Sequence, residues 1–189
     1  MRHAMTLFPW STYFFFLDHH ALIMNPNLLV QDHIMAPTRL DSIMLVDTPI
    51  VPPDSVIRTF RHGYAGNVDF VIAQDTVGLD QSSFIVRRGE WAKFFLDVWF
   101  DPLYRSYNFQ RAEGHALEHL VQWHGTVLSK LALVPQKIMN AYPQVQGELG
   151  YTDGDFVANF KDCERRQSCE TEMQPYFERF LTAIRIDEA

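Results

Sequence analysis

Two apolar runs, each closed by a carboxylate, constrain this chain more than any other feature. Tyr13-Phe14-Phe15-Phe16-Leu17 leads into Asp18-His19-His20, and Phe70-Val71-Ile72-Ala73-Gln74 leads into Asp75. Short unbroken stretches of aromatic and β-branched residues read as buried strands. Strands are therefore predicted over Thr12–Leu17 and Asp69–Gln74. In sheets of α/β proteins, ligands bind beyond the carboxyl ends of the strands. If the two strands share one sheet, Asp18 and Asp75 meet at one edge of it.

The remaining pattern alternates between the two periods. Ser83–Val86 reads as a third strand, and Leu131–Val134 and Asp155–Ala158 as short ones. Glu90–Leu103 has helical spacing, with Trp91, Phe94, Phe95, Val98 and Trp99 on one face. Ala112–Trp123 is a second helix, striped by Ala116, Leu117, Leu120 and Val121, and Cys169–Ile184 a closing amphipathic one. Residues 36–55 carry Pro37, Pro49, Pro52 and Pro53, which reads as a loop. No repeat, low-complexity tract or linker interrupts the chain. Strands alternating with helices predict an α/β fold with one core, so that 1–189 is a single domain.

Charge and cysteine usage exclude several classes. The formal charge of -7, with no stripe of Lys or Arg, argues against nucleic acid as a partner. No stretch approaches the ~20 apolar residues that span a bilayer, and no signal peptide is visible. The two cysteines, Cys163 and Cys169, are too far apart for a CxxC knuckle. A local disulfide and two free thiols are both open.

Four features can carry chemistry. Asp18-x-His20 follows the first strand and offers a hard oxygen and an imidazole to a divalent ion, a set that suits Mn²⁺ better than Mg²⁺. Asp75-Thr-Val-Gly78-Leu-Asp80-Gln81 joins two strands, its glycine allowing close backbone approach to a ligand. His115-Ala-Leu-Glu118-His119 fits the inverted zincin pattern, in which two histidines grip zinc and the glutamate acts as base. Against that stands a plain polar edge beside the Leu117/Leu120 stripe. Asn159, after the Asp155–Ala158 run, can face a ligand or cap backbone groups.

Read in order, Arg2-His-Ala-Met, Tyr13-Phe-Phe-Phe-Leu-Asp18, Ala21-Leu-Ile-Met-Asn-Pro26, Asp69-Phe-Val-Ile-Ala-Gln-Asp75 and Ser83-Phe-Ile-Val-Arg87 resemble glycosyltransferase family 34. Trp91, Asp101-Pro-Leu-Tyr104, His115-Ala-Leu-Glu-His119, Gln122-Trp-His124, Leu133-Val-Pro-Gln136, Asn140, Gly154-Asp-Phe156 and the cysteine pair continue the likeness. The family holds fungal galactosyl- and mannosyltransferases and plant xylosyltransferases. Within it the chain looks most like the α-1,6-mannosyltransferase subunits of the fungal Golgi mannan polymerase.

The resemblance implies a GT-A-like mixed sheet, a GDP- or UDP-sugar donor, Mn²⁺ and retention of anomeric configuration. A glycan acceptor in N-glycan outer-chain synthesis and other mannosyltransferase subunits as partners are implied with it. It also implies a Golgi-lumenal domain on a membrane anchor that this chain lacks, and a nucleotide-binding half that is N-terminally incomplete here. Asp18 and His20 fall on the family's metal-binding Asp-x-Asp, and Asn159 on a metal-contacting His. Asp75, Asp80 and Gln81 fall where donor sugar and acceptor are positioned, and Glu113 near the anomeric carbon. A catalytically degenerate partner subunit is the alternative, because His20 and Asn159 depart from the pattern. An oxidising lumen implies a closed Cys163–Cys169 bridge, and the likeness turns His115 and His119 into residues of a structural helix.

Overall fold

The two apolar runs become non-adjacent strands of one sheet. The computed structural model describes residues 1–107, 112–166 and 168–187. Its larger sheet is built from β1 (Tyr13–Leu17), β3 (Phe70–Gln74), β4 (Leu79–Arg87) and β5 (Leu131–Pro135), in the order β1-β4-β3-β5. A smaller ribbon pairs β2 (Ala21–Ile23) with β6 (Val157–Asn159). In the large sheet β4 runs antiparallel to both β1 and β3, while β3 and β5 are parallel. The strands β1, β3 and β5 therefore end at the same edge, and β4 begins there.

The absence of polar alternation in β3 and β5 follows from burial on both faces. Phe70, Ile72, Phe84, Val86 and Leu133 join one core with Phe95, Trp99, Leu117 and Leu120. Val71, Ala73, Ile85 and Val134 join a second with Leu40, Ile43, Met139 and Phe156. The first face is covered by α3 (Glu90–Trp99) and α5 (Ala112–Trp123); α2 (Pro37–Ile43) covers the second. Short helices complete the chain: α1 (Arg2–Leu7), α4 (Pro102–Ser106), α6 (Gly125–Leu128), α7 (Gln136–Met139) and α8 (Cys163–Arg166), before the long α9 (Cys169–Asp187). The α/β architecture, a mixed sheet flanked by helices, is the one expected.

Several boundaries differ, each for a local reason. Residues 36–55 are not all loop: Pro37 sits at the first position of α2, where its missing N–H costs nothing. The strand expected at Ser83–Val86 starts earlier, at Leu79. Asp75 Oδ1 accepts the N–H groups of Val77 (2.8 Å) and Gly78 (3.1 Å), and Gly78 adopts φ 153°. That tight turn lets Leu79 pair with Gln74 at once. The helix expected to reach Leu103 stops at Trp99, and Asp101 starts a new one by accepting the N–H of Leu103 at 2.8 Å ahead of Pro102. Phe94, placed on the apolar face by periodicity, is exposed, while Ala92 and Leu96 are buried. The strand expected at Asp155–Ala158 is shifted to Val157–Asn159.

Candidate active site

Because three strands end and one begins at the same edge, that edge collects Asp18 after β1, Asp75 after β3, Asp80 near the start of β4 and Gln136 after β5. The β2–β6 ribbon packs beside it, and Phe160 donates its N–H to the His20 carbonyl at 2.8 Å. A cleft of about 620 Å³ opens here, between the sheet edge, the end of α3 and the turn from β6 into α8.

The floor beneath the cleft is a buried polar network. Asp80, 2% exposed, accepts on Oδ2 from Gln136 Nε2 (3.0 Å), Asn140 Nδ2 (2.9 Å) and the Tyr142 hydroxyl (3.0 Å). Its Oδ1 accepts from the Ser82 N–H (3.2 Å) and hydroxyl (2.7 Å). The Tyr142 hydroxyl also lies 3.1 Å from Asp75 Oδ2, so one phenolic proton is shared between two carboxylates. Lys161 places its ammonium 2.6 Å from Asp75 and 3.8 Å from Asp80. Burial pushes the Asp75 carboxyl up, but the Lys161 hydrogen bond and charge, with the Val77 and Gly78 N–H groups, outweigh it and leave Asp75 below the usual range. Burial, helped by both carboxylates, drives the Tyr142 phenol far above its ordinary value, so it stays a donor.

The sequence-derived site residues divide accordingly. Asp18, His20, Asp80, Gln81, Glu113 and Asn159 all line the cleft. Asp75 does not: it sits behind the lining, bonded to Lys161, Tyr142 and its own turn. Asp80 presents almost no surface. Gln81 packs against Gly114, the neighbour of the exposed Glu113: a Cβ added at Gly114 would lie 2.7 Å from Gln81 Oε1. Asn159 uses its Nδ2 to hold the Ser82 hydroxyl at 2.7 Å, which leaves Oδ1 as the atom suited to an ion.

Ligand atoms of Asp18, His19 and His20 lie within 4.8 Å of one another. Asp18 Oδ1 is 2.6 Å from His19 Nδ1, and His20 Nε2 is 3.5 Å from Glu164 Oε1. One carboxylate with two imidazoles is a donor set that fits a first-row divalent ion such as Mn²⁺. A second cluster, His20 with Cys163 and Cys169, holds no thiolates, because the two sulfurs form a disulfide with Cα atoms 4.9 Å apart. Electrostatics favour a cation here. Among the described lining residues the carboxylates of Asp18, Asp80, Glu113, Asp162 and Glu164 outnumber the cationic side chains, Lys161 and Arg165.

The histidine pair on α5 belongs elsewhere. Buried Glu118 accepts the N–H of Leu79 at 3.2 Å and so ties α5 to the start of β4. His119 packs against Tyr104 and Trp123, and no metal-ligand group among the described residues includes either histidine.

Sequence reasoning missed Lys161 and Tyr142, and left His19 outside the ligand set. Only a pairing between distant segments brings Lys161 and Tyr142 to Asp75, so no local pattern announces them. Gln136 and Asn140 entered only as points of resemblance; their role as donors to Asp80 emerges from the fold. His19 had a signal, adjacency to Asp18, overlooked because strand alternation turns neighbours apart and the chain has already left β1.

The sequence profile described as the galactosyl transferase GMA12/MNN10 family matches residues 1–170. An uncharacterized α-1,2-galactosyltransferase of Schizosaccharomyces pombe is 34% identical over 98% of this chain and 57% of its own length. Two probable α-1,6-mannosyltransferases of Saccharomyces cerevisiae, MNN11 and MNN10, are 31% and 30% identical over 95% and 93% of this chain, and 46% and 48% of theirs. The chain thus spans about half the length of the curated relatives it matches. Among solved structures, a glycosyltransferase involved in glycosylation of the major capsid of PBCV-1 superposes with a TM-score of 0.55 at 10% identity, over 89% of this chain and 71% of that one. That likeness speaks to the fold alone.

Proposed function

This chain belongs to the galactosyl transferase GMA12/MNN10 family, and from that premise we propose that it moves a hexose from a nucleotide sugar to a hydroxyl of a glycan. The observation that carries the reading is the acidic cleft at the sheet edge, with five carboxylates against two cationic side chains and the Asp18-His19-His20 donor set in its lining. Such a cleft repels a bare diphosphate and accepts one together with a divalent cation.

Asp18, with His19 or His20 and the Asn159 Oδ1, would hold Mn²⁺. The bound ion would neutralise charge developing on the leaving diphosphate. Gln81 and Glu113 orient the sugars across the cleft. The bond from the anomeric carbon to the diphosphate oxygen breaks, the acceptor oxygen bonds to the same face of that carbon, and its proton passes to the departing diphosphate oxygen, with Glu113 beside the anomeric carbon. Asp75 and Asp80 act one layer back, fixing the turn and Lys161 rather than touching sugar.

We take GDP-mannose as donor and a mannose hydroxyl as acceptor, with retention. Relatives named for galactosyl and for mannosyl transfer both match, so UDP-galactose is the competitor. Placement in the Golgi lumen agrees with the Cys163–Cys169 bridge, which an oxidising compartment maintains. No helix among the described residues is long and apolar enough to cross a membrane. Association with other mannosyltransferase subunits is the partner reading, suggested by the MNN10 and MNN11 likeness.

Release of GDP or UDP from each donor, with and without Mn²⁺, tests this proposal. Mn²⁺-dependent release from one donor is expected, and loss of it in Asp18→Ala. A second reading, a partner subunit without turnover, draws on His20 standing where a carboxylate would strengthen the site. Donor binding with no nucleotide release would favour it; no binding of either donor would sink both.

A further inference from the structure

His20 belongs to two groups of metal-ligand atoms, one with Asp18 and His19, the other with Cys163 and Cys169. Backbone pairing assembles the second group. Ala21 pairs with Asn159 across the β2–β6 ribbon, and Phe160 donates its N–H to the His20 carbonyl at 2.8 Å. Cys163 in turn donates its N–H to the Phe160 carbonyl at 3.0 Å. The chain entering β2 and the chain leaving β6 are thereby held side by side. Cys163 is fully buried and the His20 imidazole only 20% exposed.

The closed bridge leaves this group without thiolates. A thiol reductant would open it: the S–S bond breaks, two reductant thiols become a disulfide, and two cysteine thiols remain beside the imidazole. Ligand atoms of the three residues already lie within 4.8 Å of one another. Tetrahedral zinc, with Zn–S bonds of about 2.3 Å, sets its ligands about 3.8 Å apart, which is inside that reach. Binding releases the two thiol protons. Glu164, whose Oε1 is 3.5 Å from His20 Nε2, or a water fills the fourth position. The segment keeps a hold when the bridge opens, because Arg166 grips the Lys161 carbonyl at 2.6 Å and Glu172 through two further bonds.

We propose that Cys163, Cys169 and His20 form a zinc site when the bridge is open, and that the closed bridge reserves His20 for Asp18. Thiolates select zinc, and Mn²⁺ stands lowest among the first-row divalent ions for such donors. One imidazole cannot serve both groups at once, so redox state selects the metal. The zinc site stands on these side chains alone; only its effect on Mn²⁺ rests on the proposed ion site at Asp18.

The whole chain is reduced with a water-soluble phosphine, which takes oxygen from water to become a phosphine oxide. It is then titrated anaerobically with zinc against a chromophoric chelator, and with Co²⁺ as a spectroscopic stand-in. One zinc per chain is expected, bound at least about a hundredfold more tightly than by the oxidised protein, with thiolate-to-cobalt charge-transfer absorption. Cys163→Ser/Cys169→Ser should abolish that absorption, and His20→Ala should weaken zinc about tenfold or more. Zinc affinity unmoved by reduction overturns the site. Affinity unchanged in His20→Ala overturns it too, since two thiols of an unfolded segment would behave so. A second arm buffers zinc at a level that leaves Mn²⁺ binding of the oxidised protein unchanged. Opening the bridge there should weaken Mn²⁺ binding about tenfold, and less than about twofold in Cys163→Ser/Cys169→Ser. Zinc bound on reduction with Mn²⁺ affinity unmoved would overturn the reservation of His20. If the oxidised protein binds no Mn²⁺ at all, the ion reading at Asp18 fails and the zinc arm still decides the site.

Discussion

Lys161 and Asp75, 86 residues apart in sequence, hold each other at 2.6 Å beneath the cleft, the carboxylate side chain only 5% exposed. Removing the ammonium leaves Asp75 and Asp80, both buried and joined through one phenol, without their cation. Lys161→Met should therefore destabilise the protein by about 3 kcal/mol, the order expected when one partner of a buried pair is lost. Urea denaturation measures this. A loss below about 1 kcal/mol would mean the pair behaves as a surface ion pair.

The same pair gives acid sensitivity with a definite sign. Asp75 is held below the ordinary carboxylate value of 3.8, so its contribution is fully present above that value and is lost as pH falls below it, through the lower value of the folded protein. In Lys161→Met the lowering causes linked to Lys161 vanish while the Val77 and Gly78 N–H groups remain, so Asp75 is lowered less. The acid-linked loss of stability attributable to Asp75 should then shrink in the variant. Denaturation midpoints at pH 3, 4.5 and 6, with Asp75→Asn as the flat reference, check this.

Glu118 separates the structural reading of α5 from the zincin one. Glu118→Gln keeps an oxygen for the Leu79 N–H and should cost less than about 1 kcal/mol, whereas Glu118→Leu strands that donor and should cost about 2 kcal/mol. Neither change, nor His119→Ala, should alter zinc content measured by mass spectrometry. Stoichiometric zinc lost in His119→Ala would reinstate the metallohydrolase.

Legibility followed the range of the determining contact. Phe70–Gln74 announces itself because burial on two faces leaves no polar alternation, Tyr13–Leu17 because it is unbroken aromatic and aliphatic sequence although only half-buried, and the limits of α5 came out residue for residue. The turn at Asp75–Gly78 did not, since its tightness depends on a side chain capping two N–H groups. Asp18 and Asp75 were rightly sent to one edge. Their different fates, one lining the cleft and one behind it, depend on where Lys161 and Tyr142 arrive from β6 and the turn after α7, which no local pattern encodes.

His20 tests how the ion would be held. Replacing its imidazole by a carboxylate adds a negative charge beside Asp18 and should tighten Mn²⁺ binding in His20→Asp. Asp18→Asn removes the one carboxylate of the cluster and should abolish binding. Calorimetric titration of Mn²⁺ reads both; unchanged or weaker binding in His20→Asp would remove His20 from the ligand set.

The disulfide pins the turn that carries Lys161 and lines the cleft with Cys163. It closes a short loop, so its constraint on the unfolded chain is about 2 kcal/mol. A second clasp acts on the same turn: Arg166 donates to the Lys161 carbonyl at 2.6 Å and pairs with Glu172 through two bonds of 3.0 and 2.7 Å. With the native turn held twice, reducing the bridge should act mainly on the unfolded state. Cys163→Ser/Cys169→Ser should lower the urea midpoint by an amount worth about 2 kcal/mol, yet leave Mn²⁺ affinity of the folded protein within about twofold. Adding Arg166→Ala to that variant should weaken Mn²⁺ binding, since both clasps on the turn beside His20 are then gone. Intact mass with and without reduction establishes the starting state. Two thiols alkylated before reduction would show the bridge open and remove the support it lends to a lumenal location.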